Sequence, residues 1–144
     1  MRKAIAGVAA ICLLMVPMLA GQRAKAKSRA SAAAIARGRY LVESVGMCGD
    51  CHSPRNEKGE FIREQLLAGA PLSFKPIDPM PVWAEKAPAI AGLPGWDKDA
   101  AIRFFMTGIV YNGLPPRPPM PAYRFRQADA EAVVAYLKSL APAK

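Results

Sequence analysis

The sequence predicts a small all-α domain, with three main helices and long loops wrapped around one bound group. Three stretches have the composition and apolar spacing of helices, and no stretch alternates apolar and polar residues as a half-buried strand does. Between the first two helices, residues 53–96 are rich in proline and glycine. So long a stretch without regular structure is unusual in a small domain, and it indicates that the chain encloses something.

The N-terminal segment predicts export. Met1-Arg2-Lys3 precedes an almost uncharged apolar run over residues 4–20, which is the pattern of a secretory signal peptide. The run is 17 residues long, near the lower limit for a spanning helix, so an uncleaved membrane anchor is the alternative. We therefore expect a periplasmic or otherwise exported protein, either free or anchored to the membrane at its N-terminus.

Cleavage after Ala26 is indicated by the A-x-A spacing of Ala24 and Ala26, and cleavage after Ala20 is the rival. This gives a signal peptide at residues 1–26 and a single domain at residues 27–144. The signal contains four of the 20 Lys and Arg residues and none of the 11 acidic residues, so its removal lowers the net charge from +9 to +5. The remaining basic residues are scattered, which argues against a nucleic-acid surface.

The first helix is expected over residues 31–47, where good helix formers predominate and proline is absent. Ile35, Val42 and Val45 lie at spacings that place them near one face. Gly38 costs about 1 kcal/mol against alanine inside a helix, so we expect another helix to approach closely there.

Two further helices follow. Asp97 is a candidate N-cap for a helix that ends near Thr107, with Gly108 just past its end. Its expected buried face consists of Ile102, Phe105 and Met106. The last helix is expected over residues 129–140, and its apolar side is made of Ala132, Val133, Tyr136, Leu137 and Leu140.

The chemistry lies in the motif Cys48-Gly49-Asp50-Cys51-His52, whose C-x-x-C-H pattern is a haem attachment signal. Residues three apart lie on one side of a helical turn, so the two thiols can reach the two vinyl groups of one porphyrin. His52 can then place its imidazole under the iron. The motif therefore predicts one covalently attached haem.

Other interpretations of the cysteine pair lack support in the sequence. A thioredoxin-like redox pair should be surrounded by a βαβ pattern, and a disulfide between Cys48 and Cys51 would close only a very small loop. Zinc requires four ligands, whereas the domain offers two cysteines and one histidine. Because His52 is the single histidine, a hydrolytic triad has no candidate base, and the sixth iron ligand cannot be a second histidine.

A methionine is the natural sixth ligand in that case. Met47 adjoins the attachment motif and cannot cross to the other haem face, and Met106 is expected on the apolar side of a helix. Met80 and Met120 lie on loops. The stretch Pro118-Pro119-Met120-Pro121 has fixed φ angles that limit its movement, which favours Met120. An iron with an open sixth position is the alternative.

These motifs in this order resemble the class I c-type cytochromes, in particular the single-domain, mono-haem kind associated with bacterial respiratory and dehydrogenase complexes. The resemblance covers 103 of the 144 residues, from Gly38 to Leu140. The matching segments are Gly38-Arg39-Tyr40-Leu41, Cys48 to Arg55, Pro88 to Gly92, Met106-Thr107-Gly108, Met120-Pro121 and Ala135-Tyr136-Leu137. Residues 53–87 depart from it, because this loop is longer and richer in proline than in the smallest members.

The resemblance implies a cytochrome c-like domain in which haem c is bound through Cys48 and Cys51 and the iron is ligated by His52 and Met120. It also implies that the carbonyl of Pro88 accepts the Nδ1 proton of His52 and so fixes the imidazole ring.

Two packing features follow from the same resemblance. Gly38 would be the point where the first helix crosses the last, near Tyr136. Donors to the haem propionates could come from Trp83, Trp96, Arg63 and Arg117, although surface or core packing is the simpler interpretation of each.

The predicted function is one-electron transfer by a carrier rather than an enzyme, with iron alternating between the ferric and ferrous states. The expected partners are redox proteins: a dehydrogenase, an oxidase or another cytochrome, of which this chain could be a subunit. One alternative is a haem protein with an open sixth site that acts as a ligand sensor or an enzyme. The other is a thiol–disulfide oxidoreductase that uses Cys48 and Cys51.

Overall fold

The computed structural model describes residues 22, 25–29 and 31–142. The chain divides after Ala33 into two units, and the described residues of the first unit are helical. The signal peptide expected at residues 1–26 falls almost entirely outside the described residues. Among the described residues, no helix is long and apolar enough to cross a membrane. The second unit, Ala34–Lys144, contains the attachment motif.

The first helix, α1, is described over residues 31–40 and continues as a wider π-helical turn, Leu41–Val45. The turn ends at Gly46, whose N–H donates to the carbonyl of Leu41 at 2.7 Å. The helix predicted over residues 31–47 is therefore present, but its last turn is not α-helical. Of the predicted face, Val42 is buried, whereas Val45, at the end of the π-helical turn, is 49% exposed.

Helix α2, Gly49–His52, is a single turn that carries the attachment motif. Helix α3, Lys98–Thr107, begins where the Asp97 side chain accepts hydrogen bonds from the next turn, and it ends at Gly108 with a φ of +66°. Helix α4, Gln127–Ser139, starts two residues before the predicted position.

The buried stripe of α3 consists of Ala101, Phe104 and Phe105. The predicted face was therefore right at Phe105, while Ile102 and Met106 are only partly buried beside the core. Helix α4 packs against α3 and buries Ala130, Ala132, Val133, Val134, Tyr136 and Leu137. The buried face of α3 differs slightly from the predicted face because α4 packs against it. Apolar periodicity within α3 cannot specify where a neighbouring helix packs.

Helix α1 crosses α4 at Gly38, as predicted. A side chain at Gly38 would collide with the backbone carbonyl of Ala132 and would lie 2.8 Å from Cβ of Tyr136. Close to this crossing the Tyr136 hydroxyl donates to Glu43 at 2.5 Å. Gly38, although it is unfavourable inside a helix, thus allows the backbones of α1 and α4 to approach closely.

The long loop between α2 and α3 contains a 3₁₀ turn, Arg63–Gln65, and two very short strands. Strand β1, Ala70–Pro71, pairs antiparallel with β2, Lys86–Ala87, with Ala70 opposite Ala87. No strand pattern was visible in the sequence because two residues are too few to alternate. The pair closes the base of a loop over residues 72–85.

Candidate haem site

The attachment motif forms one helical turn against the rest of the domain. Cys48 is the N-cap residue of α2, and its carbonyl accepts the N–H of His52 at 2.9 Å. Cys48 and Cys51 form no disulfide within the described part of the chain, and both are partly buried. The two thiols and the imidazole therefore start from the same turn, as the spacing predicted.

These three side chains line a cavity of about 1240 Å³. Ordinary small-molecule sites occupy roughly 300–1,000 Å³, so this cavity suits a large flat cofactor. Its other walls come from the Pro88 segment, from α3 and from the Met120 loop, and they are mainly apolar. The space enclosed by the long loops is thus of the size and character that a porphyrin requires.

His52 is only 5% exposed, and its Nδ1 lies 2.7 Å from the carbonyl oxygen of Pro88. A carbonyl can only accept, so Nδ1 carries the proton and Nε2 keeps its lone pair. Burial lowers the pKa of His52, an effect that the hydrogen bond to Pro88 partly opposes. The ring is consequently a neutral imidazole that is prepared to bind a metal, held by the contact that the resemblance implies.

Both partners in this contact are fixed by backbone hydrogen bonds. The N–H of Gly69 donates to the carbonyl of His52 at 2.7 Å, while the N–H of Ile90 donates to the carbonyl of Leu67 at 2.9 Å. The β1–β2 pair holds Ala87, immediately before Pro88. Residues 67–69 therefore join the histidine to the loop that orients it.

Two residues that support this arrangement, Ser53 and Gly69, were not predicted from the sequence to have a role. The buried hydroxyl of Ser53 accepts the N–H of Leu67 at 2.9 Å. Gly69 has a φ of +87°, and a side chain there would lie 2.8 Å from the backbone nitrogen of Ala89. A serine next to the motif is visible in the sequence, but its partner 14 residues away is not.

Only some of the four candidate methionines reach the cavity. Met120 lines it and is partly buried, whereas Met106 packs against the core from α3. Met47 lines it too, but it adjoins Cys48 and is 59% exposed. Met80 lies outside it, in a smaller depression formed by residues 72–85. The structure thus brings Met120 and His52 to the same cavity from distant parts of the chain.

The indole nitrogen of Trp83 supports occupation of the cavity by a group that has acceptors. Nε1 is buried and has no hydrogen-bond partner within residues 34–142. A buried donor without a partner costs about 1–3 kcal/mol, so we expect an acceptor from a bound group, and Trp83 lines both this cavity and the smaller depression formed by residues 72–85. The carboxylates of haem supply such acceptors. Trp96 and Arg117 also line the cavity, whereas Arg63 does not.

The thiol chemistry of Cys48 argues against a redox-active cysteine pair. Burial raises the pKa of Cys48 to about 11. Catalytic thiol–disulfide pairs instead depend on a lowered pKa that makes the thiolate available near neutral pH. As placed here, the thiol would be a poor nucleophile unless attachment machinery acted on it.

The comparison with known proteins supports the assignment of this cavity as a haem site. The family model described as cytochrome c matches residues 35–141. The chain is 34% identical over 120 residues to the cytochrome c subunit of an alcohol dehydrogenase (quinone) from Gluconacetobacter polyoxogenes, covering 75% of this chain and 25% of that subunit. It is 31% identical over 118 residues to the fructose dehydrogenase cytochrome subunit of Gluconobacter japonicus, covering 75% of this chain and 22% of that subunit.

A third relative is the gluconate 2-dehydrogenase cytochrome c subunit of Pantoea cypripedii, 30% identical over 117 residues, with 74% of this chain and 26% of that subunit covered. The chain thus spans about a quarter of the length of these curated relatives.

Proposed function

This chain belongs to the cytochrome c family, and on that premise we propose that His52 and Met120 are the axial ligands through which it works as a one-electron carrier. Haem c is attached covalently through Cys48 and Cys51, and the chain is an electron-transfer protein of the type found as cytochrome subunits of dehydrogenases. The bound haem supplies an iron that takes up and releases one electron.

The observation that carries the ligand assignment is the convergence of His52 and Met120 on one cavity. The carbonyl of Pro88 keeps the Nδ1 proton in place, which leaves Nε2 for the iron and fixes the ring. With haem bound, the Met120 thioether would favour ferrous iron and raise the reduction potential relative to two imidazoles. Fixed ligands also reduce the rearrangement that accompanies electron transfer.

The first experiment is an optical spectrum of the protein produced with haem-attachment machinery, in both oxidation states, with acid–acetone extraction of a separate sample. We expect haem that resists extraction and a weak far-red band in the ferric form that disappears in Met120→Ala. Met80→Ala is the matched control, because Met80 lies outside the cavity, and it should retain the band. Covalent haem without the band, together with carbon monoxide binding by the parent protein, would favour the open-site sensor or enzyme.

We further propose that the domain is exported to the periplasm and that its partner is a dehydrogenase or another redox protein. The support is the signal-like pattern of the first 26 residues and the names of the relatives, which are dehydrogenase subunits. Mass spectrometry of the mature protein tests export. A start near Gly21 or Lys27 is expected, and an intact Met1 on membrane-bound protein would indicate an anchor instead.

A further inference from the structure

Met120 lies on a long irregular loop. This loop, residues 108–126, connects α3 to α4 and contains no helix or strand. Upstream of Met120, the N–H of Ala84 donates to the carbonyl of Pro118 at 2.8 Å. Downstream, the hydroxyl of Tyr123 donates to the carbonyl of Gly46 at 2.9 Å. Met120 is therefore bracketed by two hydrogen bonds to different parts of the domain.

The Tyr123 ring is placed independently of its hydroxyl. It stacks on Phe125, with ring centroids 5.1 Å apart and an interplanar angle of 11°. The N–H of Phe125 in turn donates to the carbonyl of Phe105 in α3 at 3.0 Å. Removing the hydroxyl alone should therefore leave the ring in position and eliminate its bond to Gly46, together with its contact to the neighbouring Cys48 thiol.

The acceptor is equally well defined. Gly46 ends the π-helical turn and stands two residues before Cys48. A methyl group at Gly46 would lie 3.2 Å from the Tyr123 hydroxyl, 3.2 Å from the sulfur of Cys48 and 3.1 Å from the carbonyl oxygen of Leu41, so the hydroxyl fits closely against the glycine. Burial raises the pKa of Tyr123 to about 12, which keeps the hydroxyl protonated as a donor near neutral pH.

We propose that Tyr123 is a positioning residue that ties the Met120 loop to the haem-attachment turn and so keeps Met120 on the iron against competing ligands. The inference rests on the proposed function, because it assumes Met120 as the axial ligand. A thioether binds ferric iron weakly, so its retention depends on how rarely the loop moves away. The bond from Tyr123 to Gly46 spans 77 residues and opposes that movement directly.

The test is an imidazole titration of the ferric holo-protein, followed through the far-red band. Imidazole binds only when Met120 has left the iron, so its apparent affinity increases with the fraction of open loop. Loss of one hydrogen bond in Tyr123→Phe should tighten apparent imidazole binding by about five- to tenfold. Tyr136→Phe is the matched control: it also removes a hydroxyl that bonds to the end of α1, at Glu43, but it does not touch the Met120 loop.

The apparent imidazole affinity of Tyr136→Phe should stay within about twofold of that of the parent, because substitutions at separate sites usually act independently to within this margin. Equal affinities in the parent, Tyr123→Phe and Tyr136→Phe would overturn the proposal. If Tyr123→Phe does not accumulate with haem, Gly46→Ala replaces it, since the added methyl would crowd the hydroxyl at 3.2 Å. The methyl would crowd the sulfur of Cys48 equally, so mass spectrometry must first show that haem is still attached, and unchanged imidazole affinity would then be equally decisive. Failure of the proposed function looks different, because the parent protein would then lack the far-red band before any imidazole is added.

Discussion

His52 is the residue on which the described contacts of the site converge. Its ring donates to Pro88, its carbonyl accepts from Gly69, and Ser53 beside it holds the chain at Leu67. Each of these bonds joins α2 to the proline-rich loop. The orientation of one ligand is therefore distributed over a segment that has almost no regular structure.

At the same scale, Trp83→Phe should make the reduction potential vary more with pH near neutrality. The buried Nε1–H of Trp83 has no partner within residues 34–142, and it would keep a haem carboxylate ionised if it donated to that carboxylate in the cavity. Without the Trp83 donor, the pKa of the haem carboxylate would lie closer to neutral. Ionisation of that carboxylate near neutral pH would then favour ferric iron. The potential of the variant should then fall more steeply as the pH rises.

Potentiometric titrations at a series of pH values measure this effect. Trp96→Phe is the control, because Trp96 also lines the cavity but has its ring packed against Phe104 at 5.4 Å. A pH dependence that is the same in both variants and in the parent would show that Trp83 only fills space.

Between elements, the backbones of α1 and α4 approach closely where they cross at Gly38. Alanine at position 38 is the better helix former by about 1 kcal/mol, but its methyl group would meet the Ala132 carbonyl. A backbone atom cannot rotate away as a side chain can, so one helix must shift. We expect Gly38→Ala to destabilise the fold by roughly 1–3 kcal/mol despite its helix propensity.

Denaturant unfolding of the holo-protein measures the Gly38→Ala effect. Ala36→Gly, at an exposed position on α1, supplies the control, because it reports the alanine–glycine difference without the crossing. Ala36→Gly should lose about 1 kcal/mol. Greater stability in Gly38→Ala than in the parent would mean that the helices can separate at no cost.

For the whole molecule, the large cavity means that the fold depends on its cofactor. Phe104, Phe105 and Leu93 belong both to the core and to the cavity wall, so without haem they would face water or an empty space of about 1240 Å³. A small domain with few helices has little other apolar area to compensate.

Simultaneous Cys48→Ala and Cys51→Ala substitution should therefore leave little folded protein. Circular dichroism should show reduced helicity and no cooperative thermal transition, since binding energy from the cofactor is lost. Met120→Ala is the control, because it retains both attachment cysteines and should still unfold cooperatively. A stable, cooperative apo-protein would contradict this dependence.

The sequence by itself determined the fold class and the attachment site. Cys48, Cys51 and His52 were predictable because their chemistry depends on spacing within a single turn. The positions of α3 and α4 followed from capping residues and apolar periodicity, which are also local. Gly38 could be assigned to a helix crossing because glycine destabilises the interior of a helix. Close approach of another helix explains why a glycine stands there.

Only the tertiary structure decided which side chains meet. It placed Met120 and Met47, but not Met80 or Met106, in the cavity with His52, and it left the Trp83 donor without a partner within residues 34–142. It also joined Tyr123 to Gly46 across 77 residues. These contacts depend on how long loops close around a cofactor, and neither propensity nor spacing along the chain carries that information.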